Sequence, residues 1–284
     1  MHQIAFKLGP ITVHWYGIMV ALGFLAATGI MQWKRKYANL KTENVSDITL
    51  YSMIAGIVGA RIFYVIEFWS KDFSGRPILE IFRIDKGGLV FYGGFICALV
   101  TMILYCRWKK LPIFRVLDLA SPAIALGHAL GRVGCFLNGC CFGKVCNQSL
   151  GAVYPPGTAP AIKYPDYDHA ETILVKGQAL VHYFSQHLHP VQLYETTGNI
   201  IICIVLLLMM KRLKTGQVAA LYVFLYGVLR FVDEFFRGDH TDYFMGVFTP
   251  AQTIGLVLIP VGIIAFCYFR LRKDPDEQTS VENN

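Results

Sequence analysis

The chain repeats one pattern: a mostly apolar run near the length that crosses a bilayer core, at roughly 14–33, 48–69, 89–106, 116–136, 191–210, 217–236 and 250–269. A backbone in lipid has no water to bond, so such runs satisfy their own N–H and C=O groups as helices. The alternative, a β-barrel, alternates apolar and polar residues, whereas Ile200 to Met210 reads IIICIVLLLMM without a polar break. Hydrophobic residues make up 55% of the chain and charged ones 16%, with a mean hydropathy of +0.46, outside the mix of a water-soluble domain. The expected fold is all-α: a polytopic integral membrane protein with about seven transmembrane helices.

Basic residues orient the spans. Lys34, Arg35, Lys36 and Lys41 follow the first span, Arg107, Lys109, Lys110 and Arg115 the third, Lys211, Arg212 and Lys214 the fifth, and Arg270, Arg272 and Lys273 the seventh. The other side carries a sparser set over longer loops: Lys7, Lys71, Arg76, Arg83, Lys86, Lys144, Lys163, Lys176 and Arg237. This asymmetry places the N-terminus outside and the C-terminus in the cytoplasm. It also accounts, with anionic headgroups, for the net charge of +7 without a nucleic-acid partner. The first span lacks a small-residue cleavage site and is expected to be retained. Residues 1–273 are read as a single transmembrane catalytic domain with an outer-face loop at about 144–188. That loop contains YPPG at 154–157, and 274–284 is read as a disordered cytoplasmic tail.

Arg61, Arg132 and Arg230 lie inside spans, where charge is expensive and rarely kept without a task. At ~1.5 Å per residue, counting about 13, 17 and 14 residues from the inner ends of their helices puts all three at or beyond mid-bilayer on the outer side. Oppositely running spans bring His14, Tyr16, Tyr92, His189, Gln192 and Glu195 to the same depth. Arg230, Glu234 and Arg237 fall at i, i+4 and i+7, one helical stripe on which Glu234 orients both arginines. With Arg61 and Arg132 included, guanidiniums outnumber the carboxylates Glu195, Asp233 and Glu234. An anionic ligand is expected to complete the balance. Arginine's planar fork suits phosphate, and the abundant anion at that depth is a phospholipid headgroup.

The segment Gly131 to Gly143, GRVGCFLNGCCFG, concentrates these features. Gly127, Gly131 and Gly134 recur at helical spacing and permit close helix approach. Gly139 and Gly143 mark a break, where backbone N–H groups beside Arg132 are expected to face an oxyanion. Cys135, Cys140, Cys141 and Cys146 are separated by four, zero and four residues, unlike the C-x-x-C knuckles of zinc sites. They are expected as a disulfide or free thiols, with no metal and no cofactor. Cys97, Cys106, Cys203 and Cys267 are expected as small core residues.

Together with HWYG at 14–17, GARIFY at 59–64, GGLVFYGG at 87–94, HPVQLYE at 189–195 and RFVDEFFR at 230–237, this segment resembles the prolipoprotein diacylglyceryl transferases. The blocks stand in family order and span most of the chain. The resemblance implies a bacterial inner-membrane enzyme with its site toward the outer leaflet. Such an enzyme moves a diacylglyceryl group from phosphatidylglycerol to the lipobox cysteine thiol of a prolipoprotein, and glycerol phosphate leaves. By the same resemblance Arg132 binds the lipid phosphate, Arg230 is a second essential arginine, Glu234 and Arg237 are their companions, Tyr16 is an essential tyrosine, and Asn138, Gly139 and Gly143 complete the signature. Cys135 stands at the family's Asn, Cys140 at its Glu, and Tyr92 at the histidine of its HGG motif. Tyr92 is expected first as a hydrogen-bond donor and second as a base. His14, Arg61, His189 and Gln192 are expected to line the lipid and signal-peptide sites. Two other classes also place arginines at mid-membrane, an anion or phospholipid transporter and a non-catalytic lipid-binding relative; the first lacks its inverted repeats here.

Overall fold

The computed structural model describes residues 3–9, 11–83, 87–147, 149, 151–175, 178–239 and 248–272. The tail at 274–284, and Lys86, Lys176 and Lys273, lie outside the described residues. A hairpin of β1 (Ile4–Leu8) and β2 (Ile11–His14) leads into helix α1 (Trp15–Lys34), and then come α2 (Thr42–Glu67), α3 (Phe91–Trp108) and α4 (Ile113–Asn138). A short helix, α5 (Ala159–Lys163), precedes a second hairpin, β3 (Pro165–Val175) with β4 (Gln178–Ser185). The chain closes with α6 (Val191–Met209), α7 (Gln217–Asp233) and α8 (Pro250–Leu271).

Among the described residues, six helices are long and apolar enough to cross a membrane: α1 with its following turn, α2, α3, α4, α6 and α8. Helix α7, the counterpart of the sixth expected span, has 17 residues and carries Arg230 and Asp233. Local chemistry sets the ends. Pro250 at the start of α8 needs no N–H partner, and Thr249 and Gln252 form a reciprocal capping box, with bonds of 3.1 and 3.2 Å. Both hairpins are antiparallel with one register shift each, and neither is among the elements expected from the sequence.

The chain divides into two compact units, Thr28–Leu119 and Met1–Ala27 with Ala120–Asn284. In the first, α2 and α3 meet through small residues: a side chain on Gly94 would sit 2.9 Å from the Gly56 carbonyl. That approach is how helices gain contact where lipid supplies no hydrophobic drive. Tyr105 donates to Asp47 at 2.7 Å and Tyr37 to Asp118 at 3.3 Å in the same unit. In the second unit α7 packs on α8 by the same device, since a side chain on Gly262 would lie 2.6 Å from the Phe224 backbone nitrogen. Helices α1 and α4 cross at Gly23 and Gly127, where a Cβ added at Gly23 would be 3.0 Å from the Gly127 carbonyl oxygen. Phe142, Tyr154 and Leu188 form a small buried core under the segment that carries the second hairpin.

Candidate functional site

Helices α4, α6 and α7 bring the larger unit's buried charges together. Glu195, one turn into α6 and 3% exposed at its side chain, lies between three arginines. Arg132 of α4 meets its Oε2 through Nε; Arg230 approaches Oε1 at 3.4 Å and Arg237 at 3.7 Å. Glu234 binds Arg230 at 2.9 Å, the i, i+4 contact expected from the sequence, and lies 3.8 Å from Arg237. Arg237 is also gripped on both sides by Asp239, at 3.0 and 2.6 Å, in a bidentate pair. Asp233 is buried within electrostatic range of the same three arginines.

This arrangement corrects the charge count made on the sequence. That count included Arg61 and omitted Asp239. Among the described residues of this unit, the three guanidiniums pair with the three carboxylates Glu195, Glu234 and Asp239, so the site carries its own counter-charge. Arg132, at 15% side-chain exposure, is more accessible than Arg230 at 11% or Arg237 at 6%. His128, one turn before Arg132, accepts a hydrogen bond from Arg132 Nε at 3.3 Å and packs on Tyr226.

The break after α4 is a helix C-terminus. Gly139 donates to the Phe136 carbonyl at 3.2 Å and Cys140 to the Cys135 carbonyl at 3.1 Å, the pair of bonds of a Schellman cap, with Gly139 at φ +72°. Glycine is required there because that φ strains other L residues. Downstream, Gly143 donates to the His189 carbonyl and Lys144 to the Phe236 carbonyl. The N–H groups of these four residues are therefore bound to carbonyls, contrary to the expectation that the break turns them toward an oxyanion. Gly143 is needed for proximity: a Cβ would fall 2.5 Å from His189 O and 2.8 Å from Phe236 O. Residues 142–144 thus bridge the segment before α6 to the turn that carries Arg237.

Gln192 holds this turn from beneath. Fully buried, it donates to the Cys140 carbonyl at 2.8 Å and exchanges hydrogen bonds with the Tyr154 hydroxyl. Burial pushes the Tyr154 hydroxyl up to about 12, against a lowering by the Gln192 bond, so it stays protonated. Asn138 accepts Gln3 Nε2 at its carbonyl, 2.9 Å, and His189 Nδ1 lies 3.2 Å from the Tyr194 hydroxyl.

Tyr16 packs beside Gly134, where a Cβ would be 3.3 Å from its ring, and stands within electrostatic range of Arg132. Gly127 and Gly134 are close-approach positions, while nothing lies within 4 Å of a Cβ on Gly131. His14 is exposed at the end of β2, opposite Ile4. Arg61 and Tyr92 belong to the smaller unit. Arg61 donates to the carbonyls of Glu80, Ile81, Gly87 and Gly88 at 2.7–3.0 Å, which ties the α2–α3 connection to α2. Tyr92, in the first turn of α3, is 51% exposed. The sequence reading missed Asp239 and His128. Asp239 stands beyond the last expected residue of its span, whereas His128 was detectable as the residue one turn from Arg132.

Fold and site define a multi-pass membrane protein built around a buried arginine–carboxylate cluster at the ends of three helices. A family model described as prolipoprotein diacylglyceryl transferase matches residues 3–268, and the chain belongs to that family. It is 31% identical to the phosphatidylglycerol–prolipoprotein diacylglyceryl transferase of Clostridium tetani, over 96% of this chain and 100% of the relative. For the enzyme of the same name from Finegoldia magna the identity is 32%, covering 93% and 94%, and for that of Xylella fastidiosa strain M12 it is 33%, covering 93% and 91%.

Proposed function

We propose that this protein transfers the diacylglyceryl group of phosphatidylglycerol to the lipobox cysteine thiol of prolipoproteins, releasing glycerol phosphate. The observation that carries the reading is the convergence of Arg132, Arg230 and Arg237 on Glu195 in a member of this family. The enzyme would act in the bacterial inner membrane with surrounding lipids as partners, seven spans, the N-terminus outside and the site toward the outer leaflet. The basic residues that flank the helices support that orientation.

A cysteine thiol, with a reference pKa of ~8.5, must lose its proton before attack. The thiolate sulfur then bonds to the phosphate-bearing carbon of the diacylated glycerol, that carbon's C–O bond to the phosphate breaks, and the headgroup leaves as glycerol phosphate with the electron pair. Guanidiniums held in place by carboxylates stabilise the charge that grows on the leaving phosphate without reorganising at that moment. Arg132 reaches Glu195 and His128 through Nε, and its terminal amino groups would bind the lipid phosphate. Arg230 is the second phosphate ligand, with Glu234 as the group that orients it. Gln192, Gly139 and Gly143 position the turn, Asn138, Arg237, His14 and His189 line the substrate path, and Tyr16 lies beside the donor. Tyr92 is assigned a hydrogen-bond donor's role from its place in the family's HGG motif alone.

Purified protein supplied with phosphatidylglycerol labelled in both its acyl chains and its headgroup glycerol, together with a lipobox peptide, tests this directly. A thioether-lipidated peptide and labelled glycerol phosphate should appear together; neither appearing would reject the reading. In the same assay Tyr92→Phe should lower turnover, and unchanged turnover would remove Tyr92 from the site.

A further inference from the structure

The geometry points to a three-thiolate site for a soft, thiophilic cation, formed by Cys135, Cys140 and Cys141 beside Arg132. Their sulfur atoms all lie within 4.8 Å of one another, and all three residues are free thiols. The sequence spacing hides this, because the test for a zinc knuckle looks for C-x-x-C. The Schellman cap supplies another route. Its 6→1 bond brings the residue after the left-handed glycine back over the fourth-last residue of the helix, and those two positions are Cys140 and Cys135. Cys141 then adopts φ +60°, a left-handed conformation unusual for a side chain other than glycine, and adds the third sulfur to the same group.

The group is built before any ion arrives. Gln192, fully buried, holds the Cys140 carbonyl at 2.8 Å, and Asn138 Nδ2 lies 3.6 Å from Cys140 Sγ, placed to donate to a thiolate. Sulfurs bound at ~2.3 Å to one cation stand about 4 Å apart, a spacing within the 4.8 Å that bounds the existing triangle. Thiolates select copper(I) and other soft cations over hard ones. Among the described residues no fourth Cys, His, Asp or Glu joins the three, which suits copper(I) in a trigonal set. Binding exchanges three thiol protons, released to solvent, for one cation. The excess negative charge faces Arg132 and Arg237, both within electrostatic range of Cys141. The site does not depend on the transfer reaction and is tested without it.

The full-length protein, reduced and kept anaerobic in detergent, is titrated with copper(I) against a coloured copper(I) chelator. One copper per chain and an ultraviolet thiolate-to-copper band are expected. Cys135→Ser, Cys140→Ser and Cys141→Ser should each weaken binding by at least about tenfold. Cys146→Ser, outside the triangle, should leave it unchanged, with thermal midpoints checking that each variant is folded. Copper uptake no greater than that of the triple serine variant would overturn the proposal, as would tight binding that survives loss of any one of the three thiols.

Discussion

At the scale of single residues, the site turns on Glu195. Its carboxylate lies between three guanidiniums contributed by α4, α7 and the turn after α7. Removing one member of a buried ion pair costs about 3–5 kcal/mol, because the remaining charge is left without a partner or water. Glu195→Gln leaves Arg132 facing a neutral amide, while Arg230 keeps Glu234 and Arg237 keeps Asp239. It is expected to lower the unfolding midpoint in detergent and to abolish transfer, whereas a variant of native stability and activity would show that Glu195 does not organise the cluster. The arginines were legible in the sequence because charge inside an apolar span stands out. Their electrostatic balance was not. Asp239 grips Arg237 from outside the expected span, and Arg61 is occupied by backbone carbonyls in the other unit.

At the scale of elements, the long helices were legible because lipid forces apolar runs of this length into one conformation. The hairpins were not, since Pro165–Val175 pairs with Gln178–Ser185 through backbone bonds that apolar length does not signal. The break in GRVGCFLNGCCFG was legible from its glycines, but its polarity was not. As a C-terminal cap it consumes N–H groups instead of offering them, and by the same geometry it gathers cysteines that looked too widely spaced. Two glycines of this segment separate packing from composition. Gly143→Ala would drive a methyl group against two backbone carbonyls and should cost about 1–3 kcal/mol, the usual range for overpacking. Gly131→Ala meets nothing within 4 Å and should leave the thermal midpoint within the small range of neutral surface changes. Equal midpoints for the two variants would contradict the close approach at Gly143.

At the scale of the whole molecule, a membrane-embedded chain has gathered opposite charges at the ends of α4, α6 and α7 and enclosed them with a turn fixed by Gly139, Gly143 and Gln192. A structural cluster needs only balance. A phosphate site also needs an arginine that can exchange part of its contact for a ligand, and Arg132 has the most exposed side chain of the three. In the proposed function Arg132 holds the phosphate of the lipid donor while the diacylglyceryl group moves to a thiol. The most direct test is single-turnover conversion of labelled phosphatidylglycerol and lipobox peptide by Arg132→Ala, compared with the unsubstituted protein and checked for folding by its thermal midpoint. Losing the electrostatic stabilisation of the leaving group should slow transfer by roughly 10²-fold or more. A folded Arg132→Ala protein that transfers the diacylglyceryl group at the unsubstituted rate would contradict the account.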